Sequence, residues 1–294
     1  MSYYKSLRDI GEVLSGEDTA GPLIEESSSG NDTTLQSLLS EPQWIKAMLE
    51  EPDVIYSAHG WGAGEKKDER QVLARPRSNI ERCFMVAAKN GHAAVISTLL
   101  AFAKRQNVNA FNVMTRQAVN EAIGGGHAAV FKAMASADPN VINLELYHGA
   151  RPLYEAVRRW KPELVAALLE LGADPLHAKD DAGKLSYHTS LMSHAAHCEG
   201  PRVTEMLLER GVPIAQTGAL HSAAKGGRID TMRVLLQHGA DVDEVISSAR
   251  GWTPLHFAAT KGQVNAMKLL EEKGARSDMK DADGKTAAQL LEEA

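Results

Sequence analysis

The sequence predicts an all-α solenoid of stacked helix-turn-helix units with projecting loops. Three observations carry that prediction. A small or apolar pair followed three positions later by a landmark recurs in VAAKNGHAAVISTLL, EAIGGGHAAVFKAM, EAVRRWKPELVAALLELGAD, HAAHCEGPRVTEMLLERG, SAAKGGRIDTMRVLLQHGAD and FAATKGQVNAMKLLEEKGA. The landmarks are Gly91, Gly126, Trp160, Glu199, Gly227 and Gly262, so the intervals are 35, 34, 39, 28 and 35, and a half-length copy, DADGKTAAQLLEEA, follows. The chain also holds 24 glycines with an aromatic share of 5%, so small residues must fill contacts that aromatics usually fill. Finally, 294 residues exceed the usual ~100 to 200 of one domain, which calls for two domains or an extended array.

In chain order, residues 1–34 read as a mobile N-terminal segment, because GEDTAGPLIEESSSGNDTT is polar, acidic and rich in serine and glycine. Residues 35–78 read as a helical cap and an irregular loop. In LQSLLSEPQWIKAMLEEP, Leu35, Leu38, Leu39, Trp44, Ile45, Met48 and Leu49 keep a helical spacing broken at Pro42, suited to covering the open end of a stack. The loop DVIYSAHGWGAGEKKDERQVLARPRSN brings Tyr56 and Trp61, which serve either a partner contact or packing onto the first repeat.

Residues 79–294 carry the repeats. In the last full one, Thr253 caps a first helix with Pro254 in its first turn, and Ala258 and Ala259 admit a close neighbour. Gly262 ends that helix, Val264, Met267, Leu269 and Leu270 give a second helix its apolar contacts, and Gly274 ends it. Aspartate-rich links such as GADVDEVISSARGW and GADPLHAKDDAG suit projecting turns. Gly211 to Thr217 is too short for such a finger, and HAKDDAGKLSYHTS makes the finger before it longer, so the row of loops is expected to be uneven.

GWTPLHFAATKGQ, LLQHGADVD and LLELGADP resemble ankyrin repeats, closely over Thr217 to Ala294, more loosely over Gly149 to Pro213, and in phase over Asn79 to Asn140. The resemblance implies a curved solenoid of about six repeats plus a C-terminal half-repeat, serving as a non-catalytic adaptor, scaffold or inhibitor that binds another protein. It also implies that His256, and His221 one repeat earlier, hydrogen-bond backbone and the cap threonine to fix a loop. Positions facing the concave groove would be Val86, Glu121, Glu155, His194, Ser222 and Phe257. A second row would be Lys89 and Asn90, Gly124 and Gly125, Arg158 and Arg159, His197 and Cys198, Lys225 and Gly226, Thr260 and Lys261. The expected partner-binding set is therefore Arg158, Arg159, Trp160, His194, His197, Lys225, Phe257 and Lys261. Arg158 and Arg159 would act as forked donors and Trp160 as an aromatic anchor for an acidic or phosphorylated segment. The competing reading of these charges is solvated helix faces. Finger tips bear the opposite sign, at Asp174, Asp180, Asp181, Asp241, Asp243, Asp278, Asp281 and Asp283.

Other classes are disfavoured. A net charge of −6 argues against nucleic acid, and the absence of an apolar run near ~18 to 20 residues argues against a membrane span. The N-terminus lacks a basic region followed by an apolar one, which points to the cytosol or nucleus. Cys83 and Cys198 read as reduced thiols. HAAHC places His194, His197 and Cys198 together with His188 upstream, but no complete zinc set is evident, so no metal and no cofactor are expected. HGWGAGEKK lacks the order of a phosphate loop, and the glycines of IGGGHAAV fill an inter-helix turn. Glu155, His194 and Ser222 have the residue types of a hydrolytic triad, yet packed helices lie ~8–10 Å apart where a triad needs ~3 Å, so no catalytic residue is assigned. The alternative is a small-molecule or enzymatic site acquired in the groove around His194, His197 and Glu155.

Overall fold

The computed structural model describes residues 12–14, 20–50, 54–56, 78–146, 150–176, 191–246 and 250–293. They fall into two compact units, Met1–Leu146 and Tyr147–Ala294, each an all-α stack of antiparallel helix pairs. The first unit also has a short antiparallel pairing of β1 (Glu12–Leu14) with β2 (Val54–Tyr56), Val13 opposite Ile55.

The first unit corrects the expected mobile segment over 1–34 within residues 21–34, since residues 21–29 form α1 (Gly21–Ser29) and α2 (Asp32–Leu38) follows. Pro22 sits in the first turn of α1, where a missing N–H is harmless, and Gly30 ends it at φ +81°. Asn31 caps α2, its Oδ1 accepting from the Thr34 amide at 3.4 Å. The composition reads as linker because only Leu23 and Ile24 are large and apolar there. Both are nonetheless fully buried, and the Ser27 hydroxyl donates to the Leu23 carbonyl at 2.7 Å.

This hairpin stacks as a repeat: α1 packs on α4 (Asn79–Asn90) and α2 on α5 (Ala93–Arg105). The array therefore begins before residue 79. A further helix, α3 (Pro42–Leu49), starts at the predicted break and packs on α4, tied by the Asn79 side-chain amide donating to the Ala47 carbonyl at 2.7 Å. Beyond α6 (Ala110–Val113), α7 (Arg116–Gly125) packs on α4 and α8 (Ala128–Ala137) on α5. Because α4 lies between α1 and α7, even Glu81 and Arg82 are buried. Glu81 forms a reciprocal capping box with Ser78, and Arg82 Nη1 donates to Asn79 Oδ1 at 2.7 Å.

In the second unit the pairs are α9 (Pro152–Arg158) with α10 (Pro162–Glu170), α11 (Leu191–His197) with α12 (Arg202–Glu209), α13 (Ala219–Lys225) with α14 (Ile229–Gln237), and α15 (Pro254–Ala259) with α16 (Val264–Glu272). A last half-pair is α17 (Ala287–Glu292). First helices pack in succession from α9 to α17, and second helices from α10 to α16. Ala156, Ala195, Ala196, Ala223, Ala224, Ala258 and Ala259 are fully buried in the first row, where the missing bulk allows close approach. Leu164, Val165, Leu168, Leu235 and Leu270 supply larger buried contacts in the second row, each contributing about 1.5–3 kcal/mol.

Gly211 to Thr217 makes the short link that the sequence implies between α12 and α13. Glu244 of the next loop reaches back into it, its Oε1 accepting from the Gln216 amide at 2.6 Å, with Gln216 at φ +60°. The core of the longer finger, residues 177–190, lies outside the described residues.

Candidate functional site

Three levels of the second unit present polar side chains, and they differ in how far those groups are used up. At the loop end, His256 is 1% exposed. Its Nδ1 accepts from the Thr253 amide at 3.2 Å and the Thr253 hydroxyl at 2.8 Å, while Nε2–H donates to the Lys285 carbonyl of the next loop at 3.3 Å. The ring thus stands where a capping box usually has an acidic or amide side chain. His221 is fully buried, and its Nε2–H donates to the Glu244 carbonyl at 2.8 Å. Burial pushes its imidazole down to about 4. Both histidines hold loops in place.

The fingers use their acids in the same way. Asp281 accepts from the Trp252 indole and from the amides of Asp283 and Lys285, each at 2.9 Å. Asp243 holds the amide and Nε of Arg276 at 3.0 and 3.1 Å, and Asp174 pairs with Arg151 at 3.7 Å. Asp180 and Asp181 lie outside the described residues.

Along the first helices, Glu155 grips the arginines of its own helix: Arg158 donates through Nε and Nη2 at 3.1 and 2.7 Å, and Arg159 through Nε at 3.1 Å. Burial raises the Glu155 carboxyl, but the two guanidiniums outweigh it and hold the group below its ordinary value. The forked donors expected for a ligand are thereby engaged inside the helix. Arg158 nevertheless stays exposed and Arg159 half-buried. His194 is half-buried against Tyr154, whose hydroxyl lies 3.4 Å from its Nε2 with the rings edge to face at 5.2 Å. Ser222 meets Ser193, hydroxyl to hydroxyl at 2.6 Å. Lys225 and Lys261 are exposed.

Phe257 is a correction to the expected binding set. It is 8% exposed, because the rings of His221 and Trp252 pack edge to face against it at 5.5 and 5.2 Å. The aromatic fills the contact between two loops and belongs to the core.

At the opposite end of each first helix comes the tight turn, where the landmark residue adopts a left-handed backbone: Gly91 at φ +85°, Gly126 at +76°, Gly227 at +64° and Gly262 at +60°. In the HAAHCEG repeat the left-handed residue is Gly200 (φ +74°), one past the landmark Glu199, so this turn is a residue longer. Trp160 takes the left-handed position at φ +56° and is 45% exposed. A side chain there costs roughly 1–2 kcal/mol that glycine avoids.

The residue following the landmark bridges neighbouring turns. His92 Nε2–H donates to the Ser28 carbonyl at 2.9 Å, His127 Nε2–H to the Lys89 carbonyl at 2.8 Å, and Arg228 Nε–H to the His197 carbonyl at 3.1 Å. Arg228 also places its guanidinium carbon 5.8 Å from the centroid of the Trp160 ring, and the exposed His197 ring lies 6.3 Å from that indole. Sequence reasoning overlooked Arg228. The signal was the recurrent polar residue directly after each landmark, which reads as turn filler until the stacking is known.

Among the described residues no three His, Cys, Asp or Glu side chains are grouped to hold a metal ion, and His188 lies outside them, as do Trp61 and the His59 to Lys67 stretch. The Cys198 thiol faces the carbonyls of His194 and Val157 at 3.4 and 3.7 Å, and burial pushes it up to about 11. It is protonated at neutral pH and no ready nucleophile. No helix among the described residues is long and apolar enough to cross a membrane.

Residues 220–271 match a family model for ankyrin repeats (many copies). Among solved structures, the chain is similar to the human ASB11 ankyrin repeat domain, with 32% identity and a TM-score of 0.57 over 70% of this chain and 90% of that one. It is also similar to the ankyrin repeat domain of Bcl-3, a unique member of the IkappaB protein family, with 21% identity and a TM-score of 0.55 over 71% of this chain and 96% of that one. That second likeness bears on fold alone. No curated protein sequence matches the chain.

Proposed function

The chain belongs to the ankyrin-repeat family, and from that premise we propose that it is a non-catalytic recognition module that binds an acidic segment of another protein along its first helices. The observation that carries this reading is the exposed pair Lys225 and Lys261 at the ends of those helices, with the exposed ring of His197 one helix earlier and Arg158, already paired to Glu155, beyond it. A preordered stack meets its partner with little ordering cost of its own, so most of the contact energy is available for affinity. At the loop end Asp174, Asp243 and Asp281 are engaged in holding fingers, whereas Lys225 and Lys261 at the turn end of the first helices are exposed. Its setting is the cytosol or nucleus, a reading supported by Cys83 and Cys198, two buried thiols outside any disulfide.

The test is fluorescence anisotropy of the full chain with the labelled peptide EELEELEE and its neutral counterpart QQLQQLQQ. We expect the acidic probe to bind and the Lys225→Glu/Lys261→Glu double variant to weaken it at least about tenfold, with unchanged helical circular dichroism. Equal binding of the neutral probe, or of the acidic probe to the variant, would sink the proposal.

A further inference from the structure

The tight turn at Trp160 departs from every glycine-bearing turn described above. A left-handed backbone at φ +56° disfavours any residue with a Cβ, and tryptophan adds a large apolar ring that remains 45% exposed. Local strain and an exposed aromatic are both unfavourable in isolation, and strained residues cluster where they serve recognition. Neither is compensated by deep packing here. What surrounds the ring is polar and cationic: Arg228 stacks its guanidinium at 5.8 Å, and His197 tilts against it at 6.3 Å. The Arg228 side chain is itself positioned, because its Nε–H donates to the His197 carbonyl at 3.1 Å. Among the described residues its two terminal amino groups have no hydrogen-bond partner, so a planar fork is prealigned beside an exposed indole. Glu199, in the adjoining turn, is exposed.

We propose that Trp160, Arg228 and His197 form an anchor pocket at the turn edge that receives one carboxylate and one large apolar side chain from the acidic segment of the partner. The inference rests on the reading above and adds to it. The carboxylate meets the Arg228 fork, the apolar side chain covers the open part of the indole, and charge complementarity selects the acidic partner over a neutral one. A bound segment then follows the cationic row and crosses the edge of the stack at Trp160. Specificity comes from the apolar side chain, which the lysines of the row do not read.

The experiment measures EELEELEE and EEGEEGEE against the full wild-type chain, Trp160→Gly and Arg228→Gln. Glycine is the residue that the left-handed turn favours, so Trp160→Gly is expected to fold, with a Tm within about 3 °C of wild type. It should weaken EELEELEE about tenfold, and the roughly fivefold preference of wild type for EELEELEE over EEGEEGEE should disappear in it. Arg228→Gln should weaken both probes and retain part of the preference. If Lys225→Glu/Lys261→Glu loses EELEELEE while Trp160→Gly and Arg228→Gln bind as wild type does, the cationic row stands and the anchor pocket falls. If wild type binds EEGEEGEE as tightly as EELEELEE, the pocket falls as well, and if it binds neither acidic peptide both proposals fall.

Discussion

The loop end around His256 and the turn edge around Trp160 use the same kinds of side chain to opposite ends. At His256 an imidazole is buried, both ring nitrogens are engaged, and the neighbouring Trp252 indole donates to Asp281 at 2.9 Å. At Trp160 the indole is 45% exposed, the backbone is in a left-handed conformation, and the nearby His197 ring is exposed. The first region has converted its polar groups into stability. The second keeps exposed side chains and a strained backbone in a place where a glycine would have been easier. The difference separates the buried His256 ring, engaged at both nitrogens, from the exposed His197 ring, whose Nδ1 lies 3.4 Å from the Ser222 carbonyl, and it is invisible in residue type alone.

The comparison breaks first at His256. Replacing it with alanine removes three hydrogen bonds and strands the Thr253 amide and the Lys285 carbonyl, so we expect a loss of about 2–4 kcal/mol in urea unfolding. A loss below about 1 kcal/mol would mean that the loop end is less dependent on this ring than its geometry implies.

His221 sharpens the same side of the comparison through pH. Its folded value near 4 lies below the ordinary 6.5, so its contribution is fully present above pH 6.5 and is lost as pH falls toward 4. Glu244 works in the opposite sense, because burial raises its carboxyl, offset in part by the Gln216 amide. The His221 contribution alone amounts to roughly 3 kcal/mol of stability lost between pH 6.5 and 4, reduced by whatever Glu244 returns. His221→Gln should flatten that profile, and an unchanged slope would assign the acid sensitivity to other groups.

The smallest stability effect is expected at Trp160. Relief of the left-handed strain in Trp160→Gly is offset by loss of the stacked guanidinium and by glycine's greater freedom in the unfolded chain. The net change should stay within about 1 kcal/mol by thermal unfolding. A destabilisation approaching that of His256→Ala would erase the distinction between the two regions.

Much of this was legible beforehand in particular residues. Thr253, Pro254 and His256 announced a capped first helix and its lock, and Gly91, Gly126, Gly227 and Gly262 marked turns whose left-handed backbone favours glycine. The hairpin at 21–38 was not legible. Two apolar residues, Leu23 and Ile24, among serines and glutamates cannot stabilise a helix alone, and they become decisive only when α4 supplies the surface that buries them. Of the expected binding residues, Arg158, Lys225, Lys261, Trp160 and His197 are exposed, Arg159 and His194 are half-buried, and Phe257 is interior. Row position along the repeat could not predict which neighbouring ring would cover Phe257.

The sequence by itself determined the all-α repeat architecture, because caps, small-residue pairs and turn glycines act within a few residues of one another and repeat at a near-constant interval. Only the tertiary structure decided where the array starts and that Arg228 reaches Trp160 across the stack. The physical reason is range. Burial, ion pairing and ring stacking depend on which turns of adjacent repeats come within a few ångströms, and only the folded stack sets that distance.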